Sequence, residues 1–144
     1  MLERIVCAEK LLAVILRANY QADGIVFFTP GDFSQQLGYM RRPAGHVIPP
    51  HVHNEILREV TLTNEVLFLR SGRVRVDFYD DDHNYLESRV LTSGDIILLA
   101  RGGHGFEMLE PSELVEVKQG PYSGDADKTR FEPAVPVQLR IVGE

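Results

Sequence analysis

The stretch from Glu65 to Tyr79, EVLFLRSGRVRVDFY, constrains the fold more than any other part of the chain. Val74, Val76 and Phe78 alternate with Arg73, Arg75 and Asp77, a period of two that puts one face in a core and the other in water. Ser71-Gly72 supplies a turn, so the stretch reads as two joined strands. Downstream, Leu86 to Leu91, Ile96 to Ala100, His104 to Leu109 and Leu114 to Val117 are further short strands, separated by Gly94-Asp95, Gly102-Gly103 and Pro111-Ser112. Upstream, Gly24 to Phe28 is β-rich and stopped by Thr29-Pro30-Gly31-Asp32, and Phe33 to Gln36 reads as a helical turn. The apolar run Leu11 to Leu16 fits a buried strand or one helix face equally well, and is read as a strand. Closely spaced strands with turn residues between them predict an all-β sandwich or barrel.

The chain has 144 residues, enough to bury a core as one domain, and Cys7 is its single cysteine. No internal disulfide or Cys-based zinc site is therefore possible, and Cys7 reads as a small buried apolar residue. The formal net charge of -6 argues against nucleic acid or an anionic membrane as partner, since either needs a basic patch. Leu11 to Leu16 is too short for a signal peptide or a membrane span, so a cytoplasmic location is expected. From about Gly120 the chain is rich in Pro, Gly and Asp, and is expected to be an extended arm over the core or over a neighbouring subunit.

Histidine is scarce, with five in the chain, yet His51 and His53 stand one residue apart in a segment read as extended. Extended backbone sends both imidazoles to one face, where they can converge on an ion. His104 precedes Phe106 and Met108 at period two and shares their inward face. If Glu65 points inward, Leu67 and Leu69 follow it. A carboxylate heading an apolar row is costly to bury without a cation, either a metal or an arginine such as Arg58 or Arg70. Glu55 and Glu59 are rival carboxylates, and Glu107 is an acid/base candidate that alternation places outward. His46 and His83 read as outward or loop residues.

Taken together, these residues resemble the cupin family. Gly45, His51, His53, Glu65 and Gly72 match its first motif, and Gly94, Gly102 and His104 echo its second. The chain departs from the pattern in the eleven residues from Asn54 to Asn64, in Ala100 where proline is expected, in the early position of His104, and in the missing terminal asparagine. The resemblance implies an all-β double-stranded β-helix (jelly-roll) barrel with short N-terminal strands and an extended C-terminal arm. It implies one domain over 1–144, with the motif core at 45–108. It also implies one divalent metal ion (zinc, iron, manganese or nickel) on His51, His53, Glu65 and His104, a small-molecule ligand in the barrel, and a homodimer. The expected function is a metal-dependent small-molecule enzyme, an isomerase, epimerase or oxygenase in sugar or polysaccharide metabolism. The alternatives are a non-catalytic binder of a small ligand, or a metal-free nucleotide-sugar epimerase with His51 or His53 as base and Tyr122 or Tyr39 as acid.

Overall fold

A computed structural model describes residues 1–133 and 138–143. Ten strands run through it: β1 (Leu2–Cys7), β2 (Lys10–Leu16), β3 (Gly24–Phe27), β4 (Gly38–Arg41), β5 (Glu65–Ser71), β6 (Arg73–Tyr79), β7 (Tyr85–Thr92), β8 (Ile96–Leu99), β9 (Gly103–Met108) and β10 (Glu113–Lys118). The one helical element among the described residues is a single 3-10 turn, Gly124–Asp127. No helix there is long and apolar enough to cross a membrane.

The strands form a five-stranded antiparallel sheet in the order β1-β2-β8-β5-β10, a three-stranded antiparallel sheet in the order β7-β6-β9, and the hairpin β3-β4. Alternation explains how the two larger sheets meet. Ile5, Ala13, Ile15, Leu67, Leu69, Ile97 and Leu99 face inward from the five-stranded sheet, against Val74, Val76, Phe78 and Leu91 from the three-stranded one. Complete burial of each such aliphatic side chain is worth about 1.5–3 kcal/mol, so this row dominates the stabilisation. Cys7 is half-buried and packs against the same core.

The ambiguous run Leu11–Leu16 falls in β2, and its ambiguity has a physical cause. Ala13 and Ile15 face the inner core, while Val14 and Leu16 face outward into a second cluster with Phe28, covered by Val26, Leu37 and Tyr39 of the β3-β4 region. A strand buried on both faces has no polar alternation to display. The expected helical turn at Phe33–Gln36 is an irregular bend instead, fixed by Gln36 Nε2 donating to the carbonyls of Pro30 and Phe33.

The turn at Gly72 is a corner rather than a hairpin: β5 pairs with β8 and β10, whereas β6 pairs with β7 and β9. Gly72 has φ +94°, and a Cβ there would collide with Ser112 and the Pro111 carbonyl, so the chain can switch sheets only through a glycine. Gly102, at φ +70°, is held as tightly, since an added Cβ would lie 2.5 Å from the Tyr79 carbonyl oxygen. Gly102→Ala is therefore expected to lower stability by about 2 kcal/mol through combined strain and clash. Urea unfolding checks this, and an unchanged midpoint would contradict it.

Beyond β10 the chain crosses one end of the sheets and then returns along β7. There the Ser88 N–H donates to Arg140 O at 2.8 Å, and the Val142 N–H donates to Ser88 O at 3.0 Å. The arm expected from about Gly120 thus contacts its own sheets at Asp127, at Phe131 and from Arg140 to Val142. Residues 134–137 and 144 lie outside the described residues.

Candidate ligand cavity at Glu65 and His104

Glu65 opens β5 and His104 lies near the start of β9, so they belong to opposite sheets. Each is placed by strand register. Glu65 shares the inward face of Leu67 and Leu69, and His104 stands across from Phe78 in the β6-β9 pairing. The two side chains meet where the sheets gape: His104 Nε2 is 3.3 Å from Glu65 Oε2. The His104 ring also packs edge-on to Phe106, with centroids 5.5 Å apart.

A third group completes the contact from β10. Lys118 is the direct cross-strand partner of Glu65, and its Nζ lies 3.5 Å from Glu65 Oε1 and 2.5 Å from Asp127 Oδ2. Asp127, at the end of the 3-10 turn, accepts a hydrogen bond from the Thr63 hydroxyl at 2.7 Å. Hydrogen bonding to His104, opposed by burial and helped by the charges of His104 and Lys118, holds the Glu65 carboxyl below its ordinary range. The Asp127 carboxylate keeps the Lys118 ammonium above its ordinary value, and Lys118 holds Asp127 below its own. The result is an ionised, mutually compensated chain of groups.

These groups line a cavity of about 700 Å³, a size suited to a small organic ligand. Leu67, Tyr79 and Phe106 supply apolar surface, Gly105 leaves open space beside His104, and the arm residues from Asp127 to Phe131 form the remaining wall. Phe131 anchors that wall by stacking flat on His83, with centroids 4.1 Å apart, and edge-on against Tyr79 at 5.2 Å.

His51 and His53 are placed differently. The segment 42–64 between β4 and β5 forms no strand, and both imidazoles are exposed on it. Their rings pack edge-on with centroids 5.3 Å apart, and His51 Nδ1 lies 3.0 Å from the Pro49 carbonyl oxygen. Glu55 and Glu59 are exposed on the same segment. Among the described residues, no three His, Cys, Asp or Glu side chains are grouped so as to hold a metal ion. As placed, the four expected ligands lie as two pairs, His51 with His53 and Glu65 with His104. Of the other candidates, Tyr122 is exposed, Tyr39 packs in the outer cluster, and Glu107 pairs with Arg75 at 2.7 Å away from the cavity.

The sequence reading missed Lys118, Asp127, Tyr79 and Phe131. Lys118 carried a signal: on β10, Glu116 and Lys118 alternate with Val115 and Val117, and the polar set faces inward here.

Comparison with protein-family models, with curated proteins and with solved structures finds no match to this chain.

Proposed function

We propose that this chain is a jelly-roll protein of the cupin type that binds a small organic molecule in the Glu65–His104 cavity and acts on it by acid–base chemistry, as an isomerase or epimerase does. The observation that carries the reading is the facing pair of Glu65 and His104, 3.3 Å apart inside a cavity large enough for a ligand. The Glu65 carboxylate beside the imidazole orients the ring, which makes His104 the group placed to take a proton from substrate. The Lys118 ammonium, fixed by Asp127, stands beside the pair and is suited to stabilise an oxyanion that develops on a carbonyl oxygen. Removal of a proton from a carbon next to that carbonyl is the reaction the three groups suit together.

The test is exchange of solvent deuterium into a panel of keto sugars, nucleotide sugars and keto acids, followed by NMR. His104→Ala should reduce exchange by about 100-fold or more, the usual contribution of a general acid or base. Glu65→Gln should reduce it less. Ligand binding without any exchange in the wild type would instead make the chain a binder, and binding that ignores His104→Ala would remove the cavity from the function altogether.

A metal-dependent version is the second reading, and one observation favours it. The segment bearing His51 and His53 is rooted at the cavity, because Thr63 lines the cavity and bonds Asp127. A zinc, iron, manganese or nickel ion held by His51, His53, Glu65 and His104 would require that segment to fold inward, and would supply Lewis-acid or oxygen chemistry there. Elemental analysis of untagged protein decides between the two. Near-stoichiometric metal that is lost in the His51→Ala/His53→Ala variant would establish the metal reading. Protein that is metal-free and cannot be loaded leaves the acid–base reading in place.

A further inference from the structure

The charged groups of the cavity divide into those already matched and those left over. Glu65 is held by His104 and Lys118, and Asp127 commits one oxygen to Lys118 and the other to Thr63. Glu116, Lys128 and Arg130 also line the cavity, and none of the three lies within ion-pair distance of an opposite charge among the described residues, although the charge of Lys128 helps to hold Asp127 ionised. Lys128 is extended, with φ -145° and ψ 148°, and in extended backbone alternate side chains leave the same side, which suits two cations two residues apart acting on one group.

The overall charge makes this placement selective. The protein carries a formal net charge of -6 and so repels small anions in general. The cavity lining sets Lys118, Lys128 and Arg130 against Glu65, Glu116 and Asp127, so its cations offset the general negative charge there, with Lys128 and Arg130 side by side on the arm. Arginine offers a planar fork that matches an oxyanion bidentately, and lysine adds a point charge. Phe106 and Phe131 line the same cavity and offer apolar surface to the body of a ring-sized molecule.

We infer that the ligand of this cavity is a small organic oxyanion, its phosphate or carboxylate gripped by Lys128 and Arg130 and its body lying on the phenylalanines towards His104. This rests on the cavity reading above and adds the charge class of the ligand. The test uses the full chain and three probes of one size, glucose 6-phosphate, glucuronate and glucose, titrated calorimetrically at constant ionic strength. At least one charged probe should bind about tenfold or more tighter than glucose, and the advantage should shrink as salt is raised. Lys128→Gln/Arg130→Gln, two exposed changes that leave the core untouched, should abolish that advantage. Which anion holds it identifies phosphate or carboxylate as the natural group. Equal binding of all three probes, no saturable binding of any, or an advantage that survives the double variant would each overturn the inference. A His104→Ala control separates the two levels: probes that bind the wild type and are lost in this variant keep the cavity reading even if charge has no effect.

Discussion

Asp95→Ala is expected to destabilise the fold by about 3–5 kcal/mol, the range for removing one partner of a buried ion pair. Asp95 is only 2% exposed, yet the sequence presents it as a turn residue after Gly94. Its Oδ1 accepts the Ala18 N–H at 2.8 Å, and its Oδ2 accepts Arg17 Nη1 at 2.8 Å and the Thr92 N–H at 2.9 Å. Arg17 in turn contacts Glu3 at 2.5 Å and donates to the Val90 carbonyl at 2.7 Å. One carboxylate therefore ties the end of β2 to the β7-β8 turn. Alanine would leave the Ala18 and Thr92 N–H groups unpaired, each costing about 1–3 kcal/mol, and would remove one of two carboxylate partners of Arg17, which keeps Glu3 and the Val90 carbonyl. Asp95→Asn keeps an acceptor and the shape, and should cost roughly half as much. Urea unfolding of the two variants measures both values. A loss below about 1 kcal/mol for alanine would mean that water replaces the carboxylate and that the network is not sealed.

Asp95 also illustrates how far the sequence could be read. Gly94-Asp95 is visible as a turn because glycine and aspartate are local signals. Burial of the carboxylate depends on Arg17, which is 78 positions away in the chain. The same division runs through the fold. Val74, Val76 and Phe78 declare a strand with one dry face, and they form part of the inner core. Pairing partners are not declared, so Ser71-Gly72 looked like a simple turn between strands when it is a corner between sheets.

The candidate site divides in the same way. Glu65 and His104 each follow from period two within their own strands, and register brings them face to face. Their neighbour Lys118 escaped because its position depends on the pairing of β5 with β10, and because the binary pattern inverts there. Val115 and Val117 lie opposite Phe68 and Val66 on the outer face, while Glu116 and Lys118 turn inward. A strand that lines a wet cavity hides its polar residues and shows its apolar ones, which defeats any rule that sends valine to the core. His51 and His53 do come together, with ring centroids 5.3 Å apart, but the segment 42–64 pairs with no strand, so no register fixes where that pair stands relative to Glu65 and His104.

Phe78→Ala is the second large effect, expected at about 3–5 kcal/mol, and it links the core to the site. Phe78 is 1% exposed and is among the largest fully buried side chains. It packs in the inner cluster and stands directly across from His104 in the β6-β9 register. Removing the ring deletes buried apolar surface and leaves a void, because sheet backbones on both sides limit collapse. That void opens beside the residue that carries the proposed chemistry, so His104 loses the surface that restricts its ring. Two readouts are expected to move together: the unfolding midpoint falls, and the His104 ring signals in NMR broaden as the side chain samples more than one rotamer. Phe78→Leu, which keeps most of the volume, should cost roughly 1–1.5 kcal/mol and leave those signals sharp. If alanine lowers stability while the His104 signals stay unchanged, the imidazole is held by Glu65 and Phe106 alone, and the core makes no contribution to positioning it.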